Sequence, residues 1–370
     1  MSADRLAVGC MTGTSMDGLD AVLVRCRGEG VGLAFVEVVG VRTAPLPARR
    51  TLREIESGKP VSARAIAEAA RALGEAHAET IAALLDDHGV RPELVAVHGQ
   101  TVHHKAPTSW QLINPWAIAE RVRAPVVYDL RGADLAAGGE GAPITPMADW
   151  VMFRDADRAR AIVNLGGFVN ATVLPADARP ESVRGFDVCA CNRVLDAAAR
   201  IVLDREYDED GRAAMSGTVD GRAGGDLRER LEAQAAGGRS LGTGDEAVEW
   251  VAAWAGRVAP ADLVATAART IGSVVGVRVR AAAGKDAELY LAGGGARNAA
   301  LADAIGGARP LDDLGVRAGE REAGAMAVLG LLAADGVAVT LPGVTGRRDE
   351  TPLTGACLTG AWINANVRTR

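Results

Sequence analysis

A chain of 370 residues is too long for one simple core and suits two domains. Its 48% hydrophobic and 24% charged residues are those of a soluble globular protein. A net charge of −6 excludes a general nucleic-acid or membrane-surface binder, so any basic site must be local.

Residues 1–5 carry no apolar leader, and no run of about 18 uncharged apolar residues follows, so the expected compartment is the cytoplasm. The cysteines Cys10, Cys26, Cys189, Cys191 and Cys357 are odd in number and scattered, which suits reduced thiols. Cys189 and Cys191 form a lone C-x-C with no second pair, a weak zinc signal.

In chain order, Leu6-Ala7-Val8 and Ala21-Val22-Leu23-Val24 read as strands enclosing a turn with Gly13, Thr14, Ser15, Asp17 and Gly18. Glycines admit positive φ and a close anion, and the hydroxyls add donors. Asp17 beside a phosphate requires a divalent cation or a water between them. An ordinary hairpin loop and a phosphate cradle both fit this segment. A third strand is expected over 33–43, then a helix opened by Ser62 and closed by Gly89, with His77 near its apolar face as a structural residue. Leu94-Val95-Ala96-Val97 is a buried strand ending in His98-Gly99-Gln100-Thr101, where polar groups suit either a crevice or a capped turn. His103-His104 reads as a solvated loop. A short helix around 117–122 precedes the strand Pro125-Val126-Val127-Tyr128, and Asp129, Arg131 and Asp134 follow. The glycine-rich 136–143 segment is the best candidate for a flexible joint, with a site-lining loop as the alternative.

The second half repeats the opening. Ala161-Ile162-Val163 and Ala171-Thr172-Val173-Leu174 enclose a turn containing Asn164, Gly166 and Gly167, which suggests a duplicated α/β domain with one phosphate-contacting turn per copy. A third turn, Gly293-Gly294-Gly295 with Asn298, follows the strand at 288–291 and opens a helix. Asn298 breaks the dinucleotide fingerprint, and no P-loop motif occurs. Asp187, just upstream of a strong helix, suits either an N-cap or a general base.

The segments GTSMDGLDAVL, HGQTVHH, DLRGADLAAGGEGAPITP, NLGGFVNAT, GFD with Asn192, YDEDG, AGGGARN, REAGAMAVLG and LPGVTG follow one another as in the anhydro-N-acetylmuramic acid kinases, which this chain resembles over nearly its whole length. That family lies in the sugar kinase, heat-shock 70 and actin superfamily. The resemblance implies an α/β fold of two duplicated ribonuclease H-like (actin-like ATPase) domains around a central cleft. The expected division is 1–134, joined by the tail 347–370, and 135–346.

It further implies that Gly13, Thr14, Ser15 and Asp17, with Asn164, Gly166 and Gly167, grip the phosphates of ATP, while Gly293, Gly294, Gly295 and Asn298 flank its adenosine. Asp187 would deprotonate a water that opens a 1,6-anhydro ring as O6 takes the γ-phosphoryl group. Magnesium would sit near Asp17 through water, and Gln100, Thr101, Arg131 and Glu322 would contact the sugar. The implied partners are the sugar and ATP, in a homodimer that binds neither nucleic acid nor membrane.

Departures from the family pattern fall at Val188-Cys189-Ala190-Cys191 (family T-G-P-G), at Ile113-Asn114 (family G-D) and at the thinned arginines of Asp129-Leu130-Arg131-Gly132-Ala133-Asp134. They motivate two alternatives, another sugar-like acceptor and a catalytically silent nucleotide or sugar sensor; a ring-opening hydrolase that needs no ATP is a third reading.

Overall fold

The computed structural model describes residues 4–13, 16, 18–236, 246–348 and 361–363. The chain divides into two compact units, Met1–Met152 with Glu320–Arg370, and Phe153–Gly319.

The first unit is built on strands β1 (Asp4–Thr12), β2 (Leu19–Arg27), β3 (Ala34–Ala44), β4 (Leu94–Val97), a small separate hairpin β5 (Gln100–Lys105) and β6 (Thr108–Leu112), and β7 (Val126–Tyr128). Its main sheet runs β3-β2-β1-β4-β7 and ends on the strand Ala361–Ile363. β1, β2 and β3 pair antiparallel, whereas β4 and β7 join parallel. The middle of β1, Ala7 to Cys10, and all of β4 are buried, as strands covered on both faces require.

The helix Ala63–His88 begins where Ser62 Oγ accepts from Ala65 N at 3.2 Å and ends at Gly89, whose φ of +62° the absence of a Cβ permits. Its Leu73, Ala78, Ile81 and Leu84 face the interior. His77 is buried among them, and its Nδ1–H donates to the Leu73 carbonyl at 2.7 Å.

The boundary differs from the expected 134/135 because later chain returns to the first sheet. The helix Arg321–Ala334 lies on β1, where a Cβ at Gly9 would stand 1.9 Å from the Ala323 carbonyl oxygen. Backbone thus touches backbone, and the contact admits only glycine. The buried pair Arg321–Asp149 ties that helix to the helix Thr145–Phe153, with Nε donating to Oδ1 at 2.8 Å.

The 136–143 segment, expected as a joint, lies inside this unit and is fastened. Asp134, 1% exposed, accepts from Gly141 N at 2.8 Å and from Thr345 Oγ1 at 2.7 Å. His103 and His104, expected on a solvated loop, stand in β5. There they hydrogen-bond across the hairpin to Thr108 Oγ1 (3.0 Å) and Ser109 Oγ (2.9 Å).

The second unit carries β8 (Arg160–Leu165), β9 (Phe168–Leu174), β10 (Arg184–Ala190), β11 (Glu288–Ala292) and β12 (Ala308–Pro310), in the order β10-β9-β8-β11-β12. Here β8, β9 and β10 are antiparallel, and β11 and β12 join parallel. This is the order and direction of β3-β2-β1-β4-β7, so the duplication extends beyond the two hairpins to the whole sheet. Its core gathers Val163, Leu165, Val169, Cys189, Leu227, Trp250, Ile271 and Leu301. Among the described residues no helix is long and apolar enough to cross a membrane.

Burial pushes His77 down to about 4 and His98 down to about 3. Both are neutral in the folded chain, whereas an unfolded chain takes up protons below about pH 6.5. Stability is therefore expected to fall as pH drops from about 6.5 towards 4, by at most about 1.4 kcal/mol per pH unit for each histidine. Urea unfolding at pH 7 and pH 5 measures this. His77→Gln should reduce the slope, and an unchanged slope would contradict the assignment.

Candidate active site

In the first unit, the carboxyl ends of the parallel strands lead into three of the four expected sugar-contacting residues, Gln100, Thr101 and Arg131, while Glu322 stands in the first turn of the helix Arg321–Ala334. β1 ends at Thr12, whose Oγ1 donates to the Gly99 carbonyl at 3.0 Å. The turn after it closes through Met16 N to Gly13 O at 3.1 Å. Met16, at φ +54°, buries its side chain beside Leu46, Leu52, Leu73 and Leu112. Thr14, Ser15 and Asp17 lie outside the described residues.

β4 runs into His98 and Gly99. Gly99 has φ +78°, and a Cβ there would press on Ile113 and the Leu112 carbonyl at 3.1 Å. Gln100 is fully buried, with Oε1 lacking a partner among the described residues. A buried acceptor without a donor costs about 1–3 kcal/mol, which a bound hydroxyl would recover. Thr101 is half-buried.

After β7, Asp129 Oδ1 accepts from Gly132 N at 3.0 Å and starts a short helix. That turn sets Arg131, whose Nε donates to His98 Nε2 at 3.1 Å and whose Nη1 donates to the Gly141 carbonyl at 2.6 Å. Burial pulls Arg131 down to about 10, and the Glu322 and Asp134 carboxylates resist that fall. It remains a cation at neutral pH. The structure therefore brings Arg131 and Glu322 into one electrostatic neighbourhood.

In the second unit the glycine turns lock together. Gly166 O and Gly167 O accept from the N–H groups of Asn192 (3.1 Å) and Cys191 (2.9 Å), while Asn192 Nδ2 donates to Leu165 O at 3.1 Å. A Cβ at Gly293, which has φ +79°, would lie 2.8 Å from both Asn164 Oδ1 and Leu165 O. At Gly295 it would lie 2.8 Å from Asn192 Oδ1. Gly294 has only Asn192 Nδ2 nearby, at 3.9 Å, and keeps an open face. Bare backbone at the carboxyl ends of parallel β8 and β11 fits a phosphate or a flat ring. Asn298 serves first as a cap: its Oδ1 accepts from Leu301 N at 3.1 Å, and a Cβ on Gly211 would come within 2.3 Å of that oxygen.

Asp187 stands in β10 opposite Asn170, Asn170 is opposite Asn164 in β8, and Asn164 is opposite Ala292 in β11. Strands lie about 4.8 Å apart and directly opposed residues share a face, so this row aligns the carboxylate with the glycine turns. A bulge follows the row, between Asp187 and Cys189. Strict alternation would put both residues on one face. The extra residue instead leaves Asp187 with Asn170 on one face and sends Cys189 to the other with Val169, into the core.

The Cys-Ala-Cys departure is thereby absorbed. Val188, Cys189, Ala190 and Cys191 have no exposed surface, none has positive φ, and burial raises the Cys191 thiol well above its usual range. Ile113-Asn114 is absorbed too. Ile113 packs against both apolar clusters of the first unit, and Asn114 Oδ1 caps the helix Pro115–Val122 by accepting from Trp116 N at 3.2 Å.

Two residues not singled out from sequence join these groups, together with His98, which sequence placed only in a polar strand end. Asn170 occupies the row, and its signal was the second asparagine of N-L-G-G-F-V-N. Exposed Arg193 has its guanidinium 5.3 Å from the Phe168 ring, beside the Gly166-Gly167 turn. His98 holds Arg131. Among the described residues no cluster of three His, Cys, Asp or Glu could hold a metal ion.

A twice-used sheet order with glycine turns at its strand ends defines a duplicated ribonuclease H-like fold of the actin-like ATPase class. Comparison with known proteins narrows this. The family model for anhydro-N-acetylmuramic acid kinase matches residues 5–359. Proteins named anhydro-N-acetylmuramic acid kinase are 37% identical in Salinibacter ruber, over 94% of this chain and 95% of theirs, and 35% identical in Gloeobacter violaceus, over 94% and 97%. The relative in Bordetella pertussis is 36% identical over 93% of each chain. This chain belongs to the anhydro-N-acetylmuramic acid kinase family.

Proposed function

We propose that the chain is an ATP-dependent carbohydrate kinase that opens the 1,6-anhydro ring of anhydro-N-acetylmuramic acid and phosphorylates the freed O6. The observation that carries this reading is the cross-strand row of Asp187, Asn170 and Asn164 beside the locked glycine turns, in a chain of this family.

The Asp187 carboxylate accepts a proton from water as the water oxygen bonds to the anomeric carbon. The bond from that carbon to O6 breaks, O6 bonds to the γ-phosphorus, and ADP leaves. Gly166, Gly167 and Asn164 serve the phosphates, with Gly13, Thr14, Ser15 and Asp17 of the first unit as the matching segment. Gly293, Gly294, Gly295 and Asn298 shape the adenosine side. Gln100, Thr101, Arg131 and Glu322 serve the sugar, and the buried Oε1 of Gln100, without a partner among the described residues, supports a hydroxyl donor there. Magnesium bound to the phosphates would offset their charge, with Asp17 reaching it through water.

The departures at Cys189-Ala190-Cys191 and Ile113-Asn114 are core and cap residues, which removes their force as signs of a silent homologue or a different acceptor. The same reading makes the protein a cytoplasmic homodimer, and sedimentation tests the dimer.

ADP release, assayed with a panel of sugars, tests the function. Anhydro-N-acetylmuramic acid with magnesium should stimulate release well beyond N-acetylglucosamine or glucose, and EDTA should abolish it. Equal rates with all three sugars would contradict the assignment.

A further inference from the structure

We propose that His98 is a positioning residue, one that holds the Arg131 guanidinium for the sugar and ties it through the Gly99 carbonyl to Thr12 at the start of the first glycine turn. This rests on the assignment of Arg131 to the sugar.

Proton accounting carries it. Arginine only donates, so the 3.1 Å contact from Arg131 Nε requires a lone pair on His98 Nε2. The proton then sits on Nδ1 and is donated to the Gly99 carbonyl at 3.0 Å. That carbonyl accepts a second bond from Thr12 Oγ1, also at 3.0 Å. Gly99 aims it with a φ of +78° that a side chain would strain, in a space that Ile113 and Leu112 close.

His98 is 2% exposed, which limits the access of water to these bonds. Burial first, and the Arg131 charge second, hold the imidazole neutral down to about pH 3. A protonated ring would set N–H against N–H and cation against cation. With Nε fixed by His98 and Nη1 by the Gly141 carbonyl, the planar guanidinium has one orientation, and its Nη2 has no partner among the described residues. A fixed plane with one free edge suits oxygen recognition, where a lysine would supply only a point charge.

The test is steady-state kinetics with anhydro-N-acetylmuramic acid and ATP on His98→Leu, Arg131→Lys and the double variant. His98→Leu should raise the sugar KM about tenfold, the effect of one hydrogen bond, and leave the ATP KM unchanged. In the Arg131→Lys background the same change should have no further effect.

If Arg131→Lys alone leaves the sugar KM unchanged, the assignment of Arg131 to the sugar fails. If Arg131→Lys raises it while His98→Leu does not, or does so equally in both backgrounds, the positioning role is overturned and the assignment stands. Should His98→Leu not fold, His98→Gln and His98→Asn replace it. Glutamine is long enough to accept from Nε and should keep the sugar KM near its original value, while the shorter asparagine should not. Equal effects of the two would overturn the proposal.

Discussion

Asp187→Asn should lower kcat by about 10²- to 10⁴-fold, the usual contribution of a general base, while ATP and sugar continue to bind. Asparagine keeps the size and hydrogen-bonding reach of the side chain but cannot accept the proton of the attacking water. Asp187 is only half-buried, on the sheet face opposite the Cys189 side, so the core should be untouched and the melting temperature nearly unchanged. Single-turnover ADP formation gives the rate. Thermal shifts with a non-hydrolysable ATP analogue and with the sugar give the binding. A variant that binds both ligands and turns over at the original rate would remove Asp187 from the mechanism, and one that unfolds would show the residue to be structural.

Arg321→Leu should cost about 3–5 kcal/mol of stability, because it leaves the Asp149 carboxylate without its cation in the interior. Arg321 and Asp149 are 1% and 0% exposed, and Arg321 Nη2 also reaches Thr145 Oγ1 at 3.3 Å. The pair anchors the first turn of the helix on which Glu322 is the next residue, so a folded variant should also show a raised sugar KM. Urea unfolding measures the first effect. Adding Asp149→Leu should recover much of the loss, since the uncompensated charge is the main penalty. A loss under about 1 kcal/mol would mean that water reaches Asp149.

The parts of this fold that sequence revealed are those whose signals are local. Ser62 and Gly89 bracket the helix Ala63–His88 because a cap oxygen and a positive φ act within one turn. The apolar runs before each glycine turn named their strands for the same reason. What stayed hidden depends on partners far along the chain. His98 and Arg131 are 33 residues apart, and nothing near either one announces the bond. The glycine-rich 136–143 segment has the composition of a joint, but Asp134 and Thr345, 211 residues apart, fasten it. The unit boundary was misplaced because a helix near the chain's end supplies the surface that Gly9 meets.

The candidate site was legible as residue types and obscured in arrangement. Asp187 was recognised by the company it keeps in the family pattern. Its alignment with Asn170 and Asn164 depends on which strands pair and in what register, and a strand's alternation alone would have placed Asp187 and Cys189 on the same face. The departures at Cys189-Ala190-Cys191 and Ile113-Asn114 looked like altered chemistry because sequence does not show which way a side chain faces. Burial turned them into packing and capping.

The chemistry itself is decided by running the reaction in ¹⁸O-enriched water with ATP, magnesium and anhydro-N-acetylmuramic acid, and weighing the sugar product as it forms. Water attack at the anomeric carbon with transfer to O6 predicts N-acetylmuramic acid 6-phosphate carrying one solvent oxygen on the sugar and none in its phosphate, with one ADP released per molecule. Ring-opened sugar without phosphate, phosphorylated sugar without the solvent oxygen, or ADP release with the anhydro ring intact would contradict the account.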